Sequence, residues 1–551
     1  MTATASYQEL TTAEVAQRKW AKWNLYLGYF GLFLGALMGL LQALDRADIN
    51  LYEETYLASY YQGLTLHGVA MAFILTFSFS NAFLTIATMK GFGRAMASTA
   101  LVAATTILSL IGVLLAAWAI LANKATVLYT MYTPLQATPA FYIGATLLVI
   151  GTWLVLLNQL LTLRLWRKDH PGERIPLLSY TSIMTYIMWF VASLGLAVEV
   201  LGFILPWVFG LTSGTDPLLN RILFWFSGHP IVYFWLLPAY VIWYMVVPKQ
   251  VGGRLYSDSV VRGVFILFLL LSTPVGLHHQ YTDPGVDEGL KLIHGFFTFG
   301  VFFPSVVTAF TLAAALEDGA KRKGGKGIVS WITKLPWGNP SVVASLLAMI
   351  GFVAGGISGL VNASGTLNLV VHNTSYMPGH FHLTVGTATA LTAMGAAYWF
   401  IPYLTGKKLV LRRTALLQAW LWILGVFTFS RGLMGAGLEG QPRRVPVSLM
   451  AYVEDAWRTY DLFAAAGGIV MVLSATLFFI VLIGTLLQKK GSAGEVEFPV
   501  AECIHGSGES AAWLDRIGVW TAVGVLLIAI AYFPVFMTHD YNFTSPGFKR
   551  W

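Results

Sequence analysis

Thirteen runs of predominantly apolar residues recur along this 551-residue chain, near 25–44, 64–88, 97–121, 139–163, 179–207, 222–247, 260–280, 292–316, 340–362, 372–403, 414–437, 462–488 and 515–537. About 20 such residues carry a helix across the hydrocarbon core of a bilayer. Runs this long can satisfy their backbone hydrogen bonds in lipid only as helices. The chain is therefore read as an all-α integral membrane protein with about thirteen transmembrane helices. Only 11% of residues are charged, against roughly 25% in a soluble domain, and that excludes a soluble globular protein. Nineteen Trp and 24 Tyr supply interfacial anchors for so many spans.

The net charge of +8 does not point to nucleic acid, because Lys and Arg sit in short clusters between the apolar runs. They behave as topology signals. Of the 34 basic residues, 24 fall on the N-terminal side of the alternating loops, which predicts a cytoplasmic N-terminus and a C-terminus outside. Residues 1–23 read as a polar cytoplasmic segment ahead of a first span that is retained, since no short apolar core with a small-residue cleavage site precedes it. Cys503 is the single cysteine, so the chain has no internal disulfide and no Cys-based metal site of its own. Metals would need histidine. The one flexible stretch, Asp318–Gly327, reads as a cytoplasmic loop, and residues 1–551 read as a single membrane domain.

An ionisable residue at membrane depth is costly and marks a candidate site. A lone histidine in a bundle is more often an interhelical hydrogen bond, but these histidines cluster. His380 and His382 are two residues apart, so their side chains diverge by about 200° around one helix and address two opposite neighbours. Two imidazoles so placed suit two planar cofactors flanking that helix, since neutral imidazole is an axial ligand of haem iron. His67, followed by Gly68, lies on another helix and offers a second axial ligand, with the glycine leaving room for a flat ring. His278 and His279 are adjacent and converge on a metal only with a further ligand. His229 supplies one, in Gly228-His229-Pro230-Ile231-Val232-Tyr233, with Tyr233 at i+4 on the same helix face. Three imidazoles without thiolate or carboxylate suit copper, although ligand type alone leaves zinc open.

Together, His67, the His229-Pro-Ile-Val-Tyr233 motif, the His278-His279 pair and His380-Phe-His382 resemble subunit I of the haem-copper oxygen reductases, in particular the B-type branch. The resemblance covers essentially the whole chain. It implies that His67 and His382 ligate a low-spin haem of b type and His380 a high-spin haem of a or o type. It implies that His229, His278 and His279 hold copper B, and that Tyr233 is covalently joined to His229 and delivers a proton and an electron to oxygen. The expected activity is reduction of O2 to water coupled to proton pumping.

Proton entry is expected along Tyr233, Tyr240 and Tyr244, which share one face of the sixth helix, with Ser305, Thr308 and Thr311 at three-residue steps on the eighth and Ser257 in the loop between. The alternative is that these hydroxyls merely satisfy interhelical hydrogen bonds. Ile231 stands where the A-type branch carries a glutamate, so the resemblance implies a single input route. Glu199 is read as hydrated near the outer end of the fifth helix, with a proton site as the alternative. Arg443 and Arg444 resemble the family's haem-propionate clamp, the alternative being loop charges, and His372 and Asn368 resemble residues near the high-spin haem propionates. Asn368 departs from an aspartate present in some B-type members.

Two rival functions remain at this level. A nitric oxide reductase would share the six histidines but lack the active-site tyrosine, and a transporter would use histidines as proton or metal relays and bind no haem. The resemblance further implies a subunit II with a copper A centre, a small single-helix subunit, cytochrome c rather than quinol as electron donor, and a prokaryotic plasma membrane.

Overall fold

A computed structural model describes residues 10–52 and 54–549. Thirteen long helical rods, α1 to α13, pack side by side: α1 Thr12–Arg46, α2 Tyr60–Phe92, α3 Thr99–Leu121, α4 Pro139–Asp169, α5 Leu177–Val208, α6 Pro217–Val251, α7 Asp258–Gln280, α8 Glu288–Arg322, α9 Pro340–Ala363, α10 376–405, α11 Arg412–Leu438, α12 Asp455–Leu486 and α13 Ile517–Thr538. Among the described residues, twelve are long and apolar enough to cross a membrane. The remaining rod, α10, is built from three consecutive helical segments of 9, 7 and 14 residues and carries the His380-Phe381-His382 motif.

Several rods outrun their apolar runs. α1 starts at Thr12, inside the segment read as a polar tail, because Thr11 and Glu14 form a capping box that satisfies the first free amides. Residues 1–9 of that tail lie outside the described residues. The expected loop from Asp318 is helical as far as Arg322, supported by Glu317–Lys321 and Asp318–Arg322 pairs one turn apart. Hydropathy reports what lies in lipid, whereas caps and ion pairs carry a helix on into water.

α2 and α6 are the most enclosed rods, while α8, α12 and α13 present large apolar faces outward. Close approach relies on small residues: a Cβ on Gly112 of α3 would lie 2.7 Å from the Gly144 carbonyl of α4. Among the described residues, four rods contain π-helical turns, at Ala70–Leu75, Val198–Ile204, Ile242–Val246 and Val385–Leu391. Such bulges re-aim the side chains beside them and concentrate at functional sites. Here they neighbour His67, Glu199, Tyr244 and His382.

Glu199, read as hydrated near the outer end of its helix, is shut off from bulk solvent. The bulge turns it inward against α4 and α6 while Val198 and Leu201 face out, and its side chain is fully buried with no protein hydrogen-bond partner on either oxygen.

Candidate haem and copper centre

The helix α10 divides the core into two cavities. His380 lines one of about 580 Å³ and His382 lines another of about 250 Å³. Phe381, between them, lines both, with Val385, Thr389 and Arg443. The divergence expected from two-residue spacing on a helix thus places the imidazoles in separate chambers sharing one wall.

Across the larger cavity from His380 stand His229 of α6 and His278 and His279 of α7, each offering a ligand nitrogen within 4.8 Å of the others. His229 Nδ1 lies 3.2 Å from His279 Nε2. The convergence depends on backbone: α7 stops being α-helical at Ser272, and a 3₁₀ turn, Leu277–Gln280, presents the two histidines toward α6. Thr298 Oγ1 is 3.0 Å from His278 Nδ1, and the Trp225 indole stacks flat on His279, centroids 3.8 Å apart. The ring of Tyr233 lies 4.9 Å from that of His229, whose buried Nε2 has no hydrogen-bond partner.

In the smaller cavity His67 and His382 face each other with planes within 15° and centroids 6.1 Å apart, a spacing that leaves room for one metal atom between the rings. His67 Nδ1 bonds the Gly35 carbonyl at 2.8 Å and His382 Nδ1 the Pro378 carbonyl at 2.7 Å. Each ring therefore carries its proton on Nδ1 and keeps the Nε2 lone pair free, the second-shell pattern of metal-binding histidine. His380 Nδ1 similarly meets Ser358 Oγ at 2.9 Å. Gly68 lines this cavity as the space for a flat ring requires, a Cβ there also meeting Tyr129, and Gly39 makes room for the His67 imidazole itself, which a Cβ would approach within 3.2 Å. The residues present fit two planar haems and one nitrogen-ligated metal.

At one end of the cavities Arg443 lines both and Arg444 the smaller. Burial, reinforced by neighbouring Arg444, pulls the Arg443 guanidinium down to about 10, so an anionic partner there is favoured. Arg443 donates to Asn373 Oδ1 at 2.8 Å, and Arg444 lies over the Tyr132 ring. His372 Nδ1 meets Asn368 Oδ1 at 2.9 Å, and its Nε2 is 4.0 Å from Asp283, which pairs with Arg221. Burial lowers His372 below the ordinary histidine value, opposed by the Asp283 carboxylate. Sequence reasoning overlooked Asp283, Trp225 and Arg46. Arg46 lines the smaller cavity and is held by Ser375, Gln441 and Asp461, contacts spanning 329 to 415 residues that no local pattern announces.

Toward the opposite end, Tyr240 donates to Ser305 Oγ at 3.3 Å and Tyr244 to Thr308 Oγ1 at 2.8 Å. Thr308 and Thr311 each donate to the carbonyl one turn back in α8, so they also satisfy the helix itself. Ser257 sits apart, in a three-residue strand, Leu255–Ser257, paired in parallel with Cys503–His505, and its hydroxyl makes no hydrogen bond to Tyr244, Thr308 or Thr311.

The family of cytochrome c and quinol oxidase polypeptide I matches residues 19–470. The chain belongs to this family. It is 44% identical to cytochrome c oxidase subunit 1 of Thermus thermophilus over 97% of both chains, and 28% identical to the cytochrome c oxidase polypeptide 1 of Halobacterium salinarum over 76% of this chain and 71% of the relative. A solved haem-copper terminal oxidase dimer superposes with a TM-score of 0.92 at 36% identity, covering 97% of this chain and 95% of that one. The chain is thus a multi-pass oxidoreductase, subunit I of a haem-copper oxidase, and the family's cofactors are haems and copper B.

Proposed function

We propose that the chain reduces O2 to water in the larger cavity, receives electrons through the smaller one, takes protons from the cytoplasm and couples the reaction to proton pumping. The observation that carries this reading is the two-chamber arrangement about α10, with three imidazoles facing His380 on one side and His67 facing His382 on the other. When bound, the haems and copper supply electron delivery and oxygen binding. His67 and His382 hold the low-spin haem, of b type, His380 the high-spin haem, of a or o type, and His229, His278 and His279 hold copper B.

The chain's own groups then do four things. Phe302, Val306 and Val353 give the larger cavity an apolar wall that favours a small neutral molecule such as O2. Tyr233 stands in its wall beside His229 and offers a phenolic proton and electron where the O–O bond breaks. The Tyr240–Ser305 and Tyr244–Thr308 pairs, with Thr311 beyond them, relay protons by hydroxyl reorientation, and Ser257, which bonds none of them, joins the route only through intervening water. Arg443, Arg444, His372 and Asn368 hold the haem propionates at the outer end. The covalent His229–Tyr233 bond belongs to this reading, and their spacing of one helical turn permits it.

In the cell the chain works in a prokaryotic plasma membrane, N-terminus cytoplasmic, beside a subunit II bearing copper A and a small single-helix subunit. Cytochrome c is the donor, in keeping with the names of the Thermus and Halobacterium relatives. Metal and haem analysis of the purified complex, with a carbon monoxide difference spectrum, tests the reading. Two haems, one of them carbon-monoxide-reactive, and copper in this chain are expected. Extra iron in place of copper would indicate a nitric oxide reductase, and no haem at all a transporter.

A further inference from the structure

The fully buried His294 of α8 takes no part in the proposed reaction, yet its two ring nitrogens are both engaged. Its Nδ1 accepts from the backbone amides of Gly276 at 3.1 Å and Leu277 at 3.4 Å, and its Nε2 meets the Ala531 carbonyl of α13 at 3.1 Å. Two amide donors fix Nδ1 as the acceptor, so Nε2 carries the proton. These amides need such a partner. Once α7 leaves its helical path at Ser272, two residues before Pro274, they lack their helical acceptors, and an unpaired buried amide is costly. The edge of the Tyr532 ring packs on His294 at 4.7 Å, and a Cβ on Gly276 would collide with the Tyr532 hydroxyl and the Trp225 carbonyl, so the bend is clamped from several sides.

One turn further along α8, Thr298 donates its hydroxyl proton to the His294 carbonyl at 2.7 Å. That leaves the oxygen free to accept from His278 Nδ1 at 3.0 Å, and the His278 proton is thereby held on Nδ1 with Nε2 left as the ligand atom. A single turn of α8 thus grips both the backbone leading into the histidine pair and the ring of its first member.

We infer that His294 and Thr298 are positioning residues that preset the His278–His279 turn for its metal, His294 through the Gly276 and Leu277 amides and Thr298 through His278 Nδ1. The inference rests on the copper reading for its consequence, but the His294 brace belongs to the polypeptide alone. Loss of such an outer-shell partner weakens metal binding by about 10- to 100-fold.

The test compares Thr298→Val with Thr298→Ser, and His294→Leu with His294→Asn, in the intact purified complex. Thr298→Val is expected to lower copper retention against a chelator by about 10-fold or more and to move or broaden the infrared band of carbon monoxide photolysed onto copper. Haem absorption stays unchanged, and Thr298→Ser restores both readouts. His294→Leu is expected to speed hydrogen exchange at the Gly276 and Leu277 amides by about 5- to 10-fold, the loss of one hydrogen bond, and His294→Asn, whose Oδ1 replaces the acceptor, to restore part of it. Unchanged copper retention and carbonyl band in Thr298→Val, or unchanged exchange in His294→Leu, would overturn the inference. Should His294→Leu fail to assemble, the Thr298 pair and His294→Asn decide. A parent complex without copper would sink the proposed function, while the exchange comparison would still decide whether His294 braces the turn.

Discussion

Asp461→Ala is expected to destabilise the protein severely, because the carboxylate is the counter-charge of a guanidinium sealed inside the bundle. Arg46 and Asp461 are 8% and 2% exposed, and Arg46 Nη1 lies 3.3 Å from Asp461 Oδ1. Asp461 Oδ2 also accepts from Gln441 Nε2 at 2.6 Å. Removing the carboxylate leaves a buried charge uncompensated, worth about 3–5 kcal/mol, and strands an amide donor, worth about 1–3 kcal/mol more. Ser375 Oγ and the Gln441 side-chain Oε1 remain as acceptors, so the lower part of that range is the better expectation. The double variant Arg46→Met/Asp461→Leu removes both charges and should recover most of the loss, since apolar replacement of a buried pair is often neutral. Denaturant titration in detergent, followed by circular dichroism and by low-spin haem absorbance, reads both numbers. Because Arg46 lines the smaller cavity, the double variant should refold yet bind that haem more weakly. A single variant losing less than about 1 kcal/mol, or a double variant no better than the single, would show that water reaches the pair and that the burial argument is wrong.

Tyr233→Phe should abolish oxygen turnover while both haems remain bound, as read by oxygen electrode and absorbance; normal turnover would remove Tyr233 from the reaction. His67→Ala should erase the low-spin signal and spare the carbon-monoxide-reactive haem. Thr311→Val and Tyr244→Phe should slow turnover and proton uptake together at a stability cost of only about 1 kcal/mol, and unchanged uptake in both would dismiss the route. His372 sits below its unfolded value, so the folded state holds fewer protons and stability rises with pH up to about 6.5 and is lost as pH falls through that range; His372→Asn should flatten that acid limb in thermal melts.

The rods were legible because a membrane span must be long and apolar, and the histidines because six imidazoles at fixed short spacings have few other uses in lipid. Spacing along a helix predicted that His380 and His382 diverge, and the two cavities follow from it. What spacing does not convey is which face of a neighbour fills a gap. Gly68, read as the space for a flat ring, does line the cavity that His67 enters, but Gly39, where a Cβ would come within 3.2 Å of the His67 imidazole, is distant in sequence and was not foreseen. The inward turn of Glu199 depends on a π-bulge, an inserted register shift with no strong residue signature. The Arg46–Asp461 pair joins helices at opposite ends of the chain, and the Trp225–His279 stack depends on where α7 breaks. Such contacts come from packing rather than from local pattern.

His380 and His382, which face the two chambers, are separated by a single residue, Phe381, of one continuous helix. The distance between the chambers is consequently a property of covalent geometry and of one helical turn, not of how thirteen rods happen to be seated. Thermal breathing, a change of lipid thickness or the docking of another subunit can tilt α10 as a body, but both rings travel with it. Their mutual alignment is thereby insulated from the mechanical noise of the membrane.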